Sequence, residues 1–325
     1  MSKKINWPSD WKEAAGEQTI AMREQKELPI KLFSSWFCPF AQRAWIAMEE
    51  KGVKYQWIEI NPYEVDPSQP GGYTKKALPL SEKKKRFPGF VETSPSGLVP
   101  GLDNQGERVH DSLIVVEYID EAFDGPALLP SSALLRAQQR KWSNYVTEAI
   151  QKHYYTMIIA QEKDTQEEFR GKFYDACRHF AQHMAPVSKG PFFLGDEFSM
   201  VDIALAPFWQ RFIWVGGFYR GLEFPDDDAF TRMNVWWDAV SKRPSVANTL
   251  VCKPRLIASY KQYARNEATS NYGKMIQRNI ARHKASKVKS IASGLAGKAT
   301  YSRAALIAGC AASGAVGYIL GMKSK

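Results

Sequence analysis

One cysteine has a setting that suits thiol chemistry. Cys38 follows an apolar stretch, residues 28–33, and precedes a stretch of helical pattern, residues 44–52. This order predicts a thiol at a helix start, with Pro39 at the first helical position, where proline is favoured. Unpaired N–H groups and the positive end of the helix dipole stabilise a thiolate there, so we expect the pKa of Cys38 to fall below ~8.5. A buried structural cysteine is the alternative interpretation.

The fourth position of the motif restricts this chemistry. Dithiol oxidoreductases carry C-x-x-C, in which the second thiol resolves the mixed disulfide. In this chain Ala41 occupies that position. Disulfide exchange at Cys38 must therefore use one protein thiol, and the second thiol has to come from another molecule.

The surrounding pattern predicts the elements that position Cys38. Strands are expected at residues 30–33 and 55–60, with a helix between them, which makes a βαβ unit. Residues 61–96 are rich in proline and glycine and are expected to be mostly loop. Residues 131–255 show helical periodicity with many aromatic side chains, so they predict an all-helical second domain.

Three later landmarks follow the cysteine motif at compatible spacings. They are the runs Gly97–Leu102, His110–Asp120 and Phe192–Asp202. Together with Cys38–Arg43, they resemble the cysteine-type glutathione transferases of the omega and lambda classes, over roughly residues 28–255. The resemblance implies an α+β fold, with a thioredoxin-like N-terminal domain (βαβ-α-ββα) followed by an all-α C-terminal domain. Glutaredoxins and thioredoxins would not explain the second half.

The predicted organisation has five parts. They are an N-terminal extension (1–27) with Trp7 and Trp11 as anchors, a thioredoxin-like glutathione-binding domain (28–124), an all-helical domain (125–258), a basic linker (259–303) and a candidate transmembrane tail anchor (304–322).

The resemblance implies glutathione as co-substrate and a set of contacts for it. Cys38 is the expected catalytic residue, and the expected glutathione-binding residues are Phe40, Val99, Pro100, Asp111 and Ser112. A cis Pro100 would turn the backbone N–H and C=O of Val99 toward an extended peptide. A serine hydroxyl at a helix N-terminus is a ready carboxylate site. Asp111 and Ser112 are also good helix caps, and both roles can hold together.

Other candidate site residues are less well defined by the sequence. Residues 61–96 are longer than the family usually shows, so Lys75, Lys76 and the cluster Lys83–Arg86 all compete for the glycyl contact; the cluster is interpreted mainly as a solvated face. The aromatic residues proposed to line an electrophile pocket, with core packing as the alternative, are Tyr145, Trp209 and Trp214.

The spacing Ser199-x-x-Asp202 before an apolar run is an acidic variant of the capping box, so these two residues are expected to serve folding rather than chemistry.

The charge of the chain is concentrated in its C-terminal part. Residues 261–325 contain twelve Lys or Arg and one acidic residue, a formal charge of +11, whereas the rest of the chain has −1. No nucleic-acid-binding motif accompanies these charges, so a basic domain that binds nucleic acid is not expected.

The chain contains four cysteines, Cys38, Cys177, Cys252 and Cys310. They lack metal-type spacing and fit a reducing compartment, and no metal site is predicted.

Residues 304–322 form a candidate membrane segment. They are nineteen consecutive uncharged residues with basic residues on both sides, which just meets the length of about 20 needed to span a bilayer. Gly309, Ser313, Gly317 and Gly321 recur every four residues, a pattern of close membrane-helix packing. The predicted tail anchor places the protein on the cytosolic face of a membrane, with the mitochondrial outer membrane or peroxisomes favoured over the ER. An alanine-rich soluble helix is the alternative, and the expected location is then cytoplasmic.

The predicted function is an omega- or lambda-type transferase acting mainly as a glutathione-dependent thioltransferase and dehydroascorbate reductase through a Cys38–glutathione mixed disulfide. The implied partners are glutathionylated thiols and oxidised or electrophilic small molecules, and the resemblance allows a homodimer or a monomer. Two alternatives stay open. One is a non-catalytic interaction protein at a membrane; the other is a transferase that conjugates hydrophobic electrophiles.

Overall fold

A computed structural model describes residues 10–66 and 73–289 of the chain. Its strands are β1 (Ile30–Ser34), β2 (Gln56–Glu59), β3 (Tyr63–Val65), β4 (Tyr73–Ala77), β5 (Gly101–Asn104) and β6 (Glu107–His110). Its helices are α1 (Ala15–Glu24), α2 (Pro39–Glu50), α3 (Leu80–Arg86), α4 (Phe90–Thr93), α5 (Ser112–Ala122), α6 (Ala133–Tyr145), α7 (Lys152–Ile159), α8 (Lys163–Ala181), α9 (Met200–Arg211), α10 (Gly217–Arg220), α11 (Asp228–Lys242), α12 (Pro244–Ala247), α13 (Lys253–Ser259) and α14 (Lys261–Ala264). Trp11–Glu13 and Val187–Lys189 form 3₁₀ turns, Val146–Gln151 and Phe212–Gly216 are π-helical, and residues 271–289 are helical.

The first domain is built on a four-stranded mixed sheet in the order β2-β1-β5-β6. Strand β1 runs parallel to β2 and antiparallel to β5, and Leu32 stands opposite Trp57 on one side and Leu102 on the other. Because β1 is a central strand with covered faces, its Leu32 and Phe33 are fully buried. Strand order and helix α2 between β1 and β2 confirm the predicted thioredoxin-like domain.

The stretch 61–96 differs from the expected loop. It contains the antiparallel pair β3–β4 and the two short helices α3 and α4. Tyr63 of β3 is buried, and Phe90 of α4 packs with Phe33 and Ile60 in one apolar cluster. The proline- and glycine-rich composition concealed these elements because each of them is only three to seven residues long.

The N-terminal extension docks on the protein body through a charged contact and an aromatic one. The Glu17 carboxylate accepts from the Cys252 N–H at 3.0 Å and from Arg255 at 3.2 Å. The Arg255 guanidinium lies between the rings of Trp11 and Trp36, 4.4 and 3.8 Å from their centroids. These contacts confirm Trp11 as an anchor, whereas Trp7 lies outside the described residues.

The predicted start of the basic linker is corrected by the structure. A compact unit contains both domains and continues to Ile276, so residues 259–276 belong to it rather than to a linker. The second unit begins at Gln277 and is described to residue 289 as helix. In the part of the chain that the structure describes, no helix has the length and apolar character to cross a membrane. The segment 304–322 lies outside the described residues.

Candidate functional site

Cys38 lies where the sequence predicts it, at the start of helix α2. It is the N-cap residue, with extended backbone angles, and Pro39 follows at the first helical position. Its N–H donates to the Ser35 carbonyl at 2.9 Å, and its carbonyl accepts from the Gln42 N–H at 3.0 Å. These two bonds fix the turn, and Cys38 is left partly exposed.

The pKa of Cys38 is not lowered as expected. Burial raises it above the ordinary value, because removal from water penalises the thiolate. The N–H groups of Ala41 and Phe40, together with Arg211 and Arg43, act in the opposite direction but do not outweigh burial. The sequence indicated the helix start correctly; it could not indicate how strongly tertiary packing would dehydrate the sulfur.

Two buried arginines, neither predicted as site residues, lie around this turn. Arg43 is 1% exposed; it donates to the Ala204 carbonyl at 3.0 Å and to the hydroxyls of Ser112 and Thr147 at 3.2 Å each. Arg211 is 0% exposed and donates to the Phe37 carbonyl at 3.0 Å. The available signal for Arg211 was a charged residue ending an otherwise almost wholly apolar helix.

Of the five predicted glutathione-binding residues, Phe40 lies in the first turn of α2, and the other four lie in the turns before β5 and after β6. The Val99–Pro100 bond is cis, as predicted, and it leads into β5. Asp111 caps helix α5, and its carboxylate accepts from the Leu113 N–H at 3.3 Å. Asp111 has a backbone φ of +76°, a conformation that residues other than glycine rarely adopt. Such backbone strain concentrates at functional sites. Ser112 follows at the first position of α5, beside Arg43.

Lys83 is not part of a solvated face. It is buried, and its Nζ donates to the Gly97 carbonyl at 2.8 Å, in the turn that precedes Pro100. Burial lowers the pKa of Lys83. Lys84, Lys85 and Arg86 are exposed, so the predicted solvated face applies to those three residues. Lys76 is paired with Glu64 at 2.8 Å.

The aromatic residues near Cys38 are not those predicted. Phe40 contacts Phe208 and Tyr272, with ring centroids 5.4 and 5.8 Å apart. Tyr260 and Tyr263 both lie close enough to Cys38 to interact with its charge. Tyr260, Tyr263 and Tyr272 come from the stretch that the sequence assigns to a linker, so they were not among the predicted site residues.

The three residues predicted to line a pocket have other surroundings. Trp209 is completely buried and stacks on Phe224 at 4.8 Å, so it is a core residue. Tyr145 donates to the Ala176 carbonyl at 3.3 Å, inside the helical domain. Trp214 is half-buried and faces Lys253. For Trp209 the alternative of core packing is correct, because the apolar face of α9 packs against neighbouring helices, whereas Tyr145 is half-buried.

Among the residues that the structure describes, no group of three or more His, Cys, Asp or Glu side chains is arranged to hold a metal ion.

Two family models match the chain, one in each domain. The model described as "Glutathione S-transferase, N-terminal domain" matches residues 37–122, and the model described as "Glutathione S-transferase, C-terminal domain" matches residues 163–239. Segment 253–276, which brings the tyrosines to Cys38, lies beyond both matches.

Individual relatives agree with these models. Glutathione S-transferase omega-1 of Sus scrofa is 28% identical over 235 residues, which are 71% of this chain and 84% of the relative. Glutathione S-transferase L1 of Arabidopsis thaliana is 32% identical over 182 residues, 56% of this chain and 66% of the relative. The crystal structure of glutathione transferase Omega 3C from Trametes versicolor matches with a TM-score of 0.64 and 32% identity, over 79% of this chain and 98% of that chain.

Proposed function

We propose that this chain, which belongs to the glutathione transferase family, acts as a glutathione-dependent thioltransferase and dehydroascorbate reductase. It is a glutathione S-transferase, and glutathione is its co-substrate. The observation that supports the proposed thioltransferase activity is a cysteine at the N-cap of α2, in a partly exposed position, with Ala41 in place of a second cysteine. A thiol in this position can form a disulfide with glutathione, which a serine or tyrosine hydroxyl cannot.

The first step is thiol–disulfide exchange. The Cys38 thiolate attacks the glutathione sulfur of a glutathionylated substrate; the Cys38–glutathione S–S bond forms, the substrate S–S bond breaks, and the substrate leaves as a thiolate that takes up a proton. A second glutathione, as its thiolate, then attacks the mixed disulfide and leaves as glutathione disulfide, which regenerates the Cys38 thiolate. With dehydroascorbate, two glutathione molecules supply the two electrons and two protons and become glutathione disulfide.

The turns around Cys38 provide the proposed binding groups for glutathione. Arg43 donates to Ser112 Oγ, so the hydroxyl proton of Ser112 is left to donate to the γ-glutamyl carboxylate at the N-terminus of α5. The Asp111 carboxylate has the charge to pair with the γ-glutamyl ammonium. The Val99 backbone beside Pro100 offers the peptide its N–H and C=O groups, and Lys83 holds this turn through the Gly97 carbonyl.

The test is covalent capture of glutathione. The full chain is incubated with glutathione disulfide and analysed by mass spectrometry; one glutathione adduct is expected, and Cys38→Ala should abolish it. Cys252→Ala is the matched control, because Cys252 is also a helix N-cap, and it should keep the adduct. Absence of a Cys38-dependent adduct would exclude the thioltransferase mechanism and favour the interaction protein. If the protein conjugates glutathione to an aromatic electrophile but forms no Cys38–glutathione adduct, the conjugating transferase is favoured.

We also propose that residues 304–322 attach the enzyme to the cytosolic face of a membrane, with the mitochondrial outer membrane or peroxisomes favoured. The support is in the sequence alone: nineteen uncharged residues between basic flanks, with small residues at every fourth position. A fluorescent protein carrying residues 290–325 should localise to a membrane, and a variant with Ala312→Arg and Gly317→Arg should be diffuse. A diffuse signal from the unaltered fusion would contradict the anchor.

A further inference from the structure

Helix α9 sends one arginine across to the turn that carries Cys38. The Arg211 side chain donates through Nη2 to the Phe37 carbonyl at 3.0 Å and through Nη1 to Gln42 Oε1 at 2.8 Å. Its two arms therefore reach the residue before Cys38 and a residue one turn after it. Gln42 is held in turn by Thr249, whose carbonyl and hydroxyl both accept from Gln42 Nε2 at 3.1 Å.

Arg211 carries its charge without a carboxylate partner. It is completely buried, and of the carboxylates in residues 10–66 and 73–289 none lies within ion-pair distance of it. Its other acceptors are the neutral Pro207 carbonyl and Gln210 Oε1, and its buried Nε has no acceptor in hydrogen-bond geometry. Buried charges in proteins are normally paired, because an unpaired charge away from water is costly.

The groups around the sulfur show which anion can offset this charge. Arg43 from α2, Arg211 from α9, Tyr260 at the end of α13 and Tyr263 from α14 all interact with Cys38. Arg43 also faces the Asp111 carboxylate. The groups facing Arg211 are the phenols of Tyr154, Tyr155 and Tyr260, which are neutral at physiological pH because burial raises their pKa values. Among the described groups that interact with Arg211, Cys38 is the remaining one that can supply an anion, when it ionises to the thiolate.

We propose that Arg211 is a positioning residue for Cys38. Its guanidinium group holds the turn on both sides of the thiol through two hydrogen bonds, and its unpaired buried charge stabilises the thiolate. Arg211 itself is fully buried, so it does not contact the substrate; it acts by holding the Cys38 turn and by the electrostatic potential of its charge. This role rests on the proposed function only in that Cys38 reacts as a thiolate. Placement of Arg211 directly before the π-helical segment Phe212–Gly216 fits a functional position, since such segments are frequent at functional sites.

The test measures thiolate formation without glutathione. Iodoacetamide alkylates the thiolate, forming an S–C bond and releasing iodide, and modification of Cys38 in the full chain is quantified by peptide mass spectrometry across a pH series. Arg211→Gln should move the rise in the alkylation rate to higher pH, and the rate at neutral pH should fall about tenfold if the rise moves by about one on the pH scale. At high pH the rates of variant and parent should converge, which a merely unfolded or blocked site would not show.

Two comparison variants separate charge from packing. Arg220→Gln removes a half-buried guanidinium that donates only to backbone carbonyls, and it should leave the pH profile of Cys38 unchanged. Arg211→Lys retains the charge without the guanidinium group and should fall between the parent and Arg211→Gln. An unshifted profile in Arg211→Gln, or an equal shift in Arg220→Gln, overturns the proposal.

A third variant decides the matter if Arg211→Gln does not fold. Gln42→Glu retains Arg211 and introduces a carboxylate at the position of the amide whose Oε1 lies 2.8 Å from Arg211 Nη1. The proposal expects slower alkylation at neutral pH with recovery at high pH, and a parental profile overturns it. Because no glutathione is used, a missing glutathione adduct together with a shifted alkylation profile would reject the thioltransferase function and leave the role of Arg211 intact.

Discussion

At the residue scale, the acid–base behaviour near the site is set by dehydration. Cys38 sits at a helix start that should favour its thiolate, and yet burial raises its pKa. The same holds for Glu59, the last residue of β2, where burial raises the pKa to about 7. The Glu59 carboxylate accepts from Trp57 Nε1 at 2.9 Å and from the Trp36 N–H at 3.3 Å, so it supports the chain just before Cys38.

Glu59 makes the stability of the fold pH-dependent. Its folded pKa is raised above the unfolded value of 4.5, so the folded state binds the proton more tightly and stability falls as pH rises from about 4.5 to about 7. Glu59→Gln should flatten this dependence by roughly 2 kcal/mol, measured as the free energy of urea unfolding at both ends of that range. A parental slope in the variant would show that other groups cause it.

At the element scale, the start of helix α9 is organised by one carboxylate. Asp202 and Ser199 form the predicted capping box, and Asp202 also accepts from the Phe193 N–H at 2.9 Å and from Trp236 Nε1 at 2.7 Å. Helix α9 carries both Ala204, whose carbonyl binds Arg43, and Arg211. The cap is therefore a folding device, as expected from the sequence, and it also fixes the helix that holds the Cys38 turn.

Removing this carboxylate should be costly. Asp202→Ala leaves buried N–H groups of Phe193, Ser199 and Trp236 without acceptors, and we expect a loss of roughly 3–5 kcal/mol in unfolding free energy. Asp202→Asn keeps an oxygen that can accept from Phe193 and Trp236, so it should lose about half as much unfolding free energy. Asp227→Ala, at the solvent-accessible N-cap of α11, is the control and should lose about 1 kcal/mol. Chemical denaturation measures all three, and equal losses at 202 and 227 would contradict the buried network.

At the scale of the whole molecule, the site is assembled by contacts between the two domains. Arg43 of α2 reaches α9, Arg211 of α9 reaches the Cys38 turn, and Arg243 after α11 pairs with Glu50 at the end of α2. The segment after α13 completes the surroundings with Tyr260, Tyr263 and Tyr272. None of these pairings follows from local pattern, because the partners are separated by about 160 residues or more.

Local signals in the sequence were sufficient for the two-domain fold and for the turns that surround Cys38. Strand and helix periodicity around Cys38, proline at position 100, the Asp111–Ser112 cap and the Ser199–Asp202 box each depend on neighbouring residues, and the structure contains all of them. Tertiary packing alone decided the pKa of Cys38, the burial of Lys83, Trp209 and Arg211, and which aromatic rings surround the thiol. Those properties depend on how much water is excluded and on which distant side chains meet, and a linear pattern carries neither.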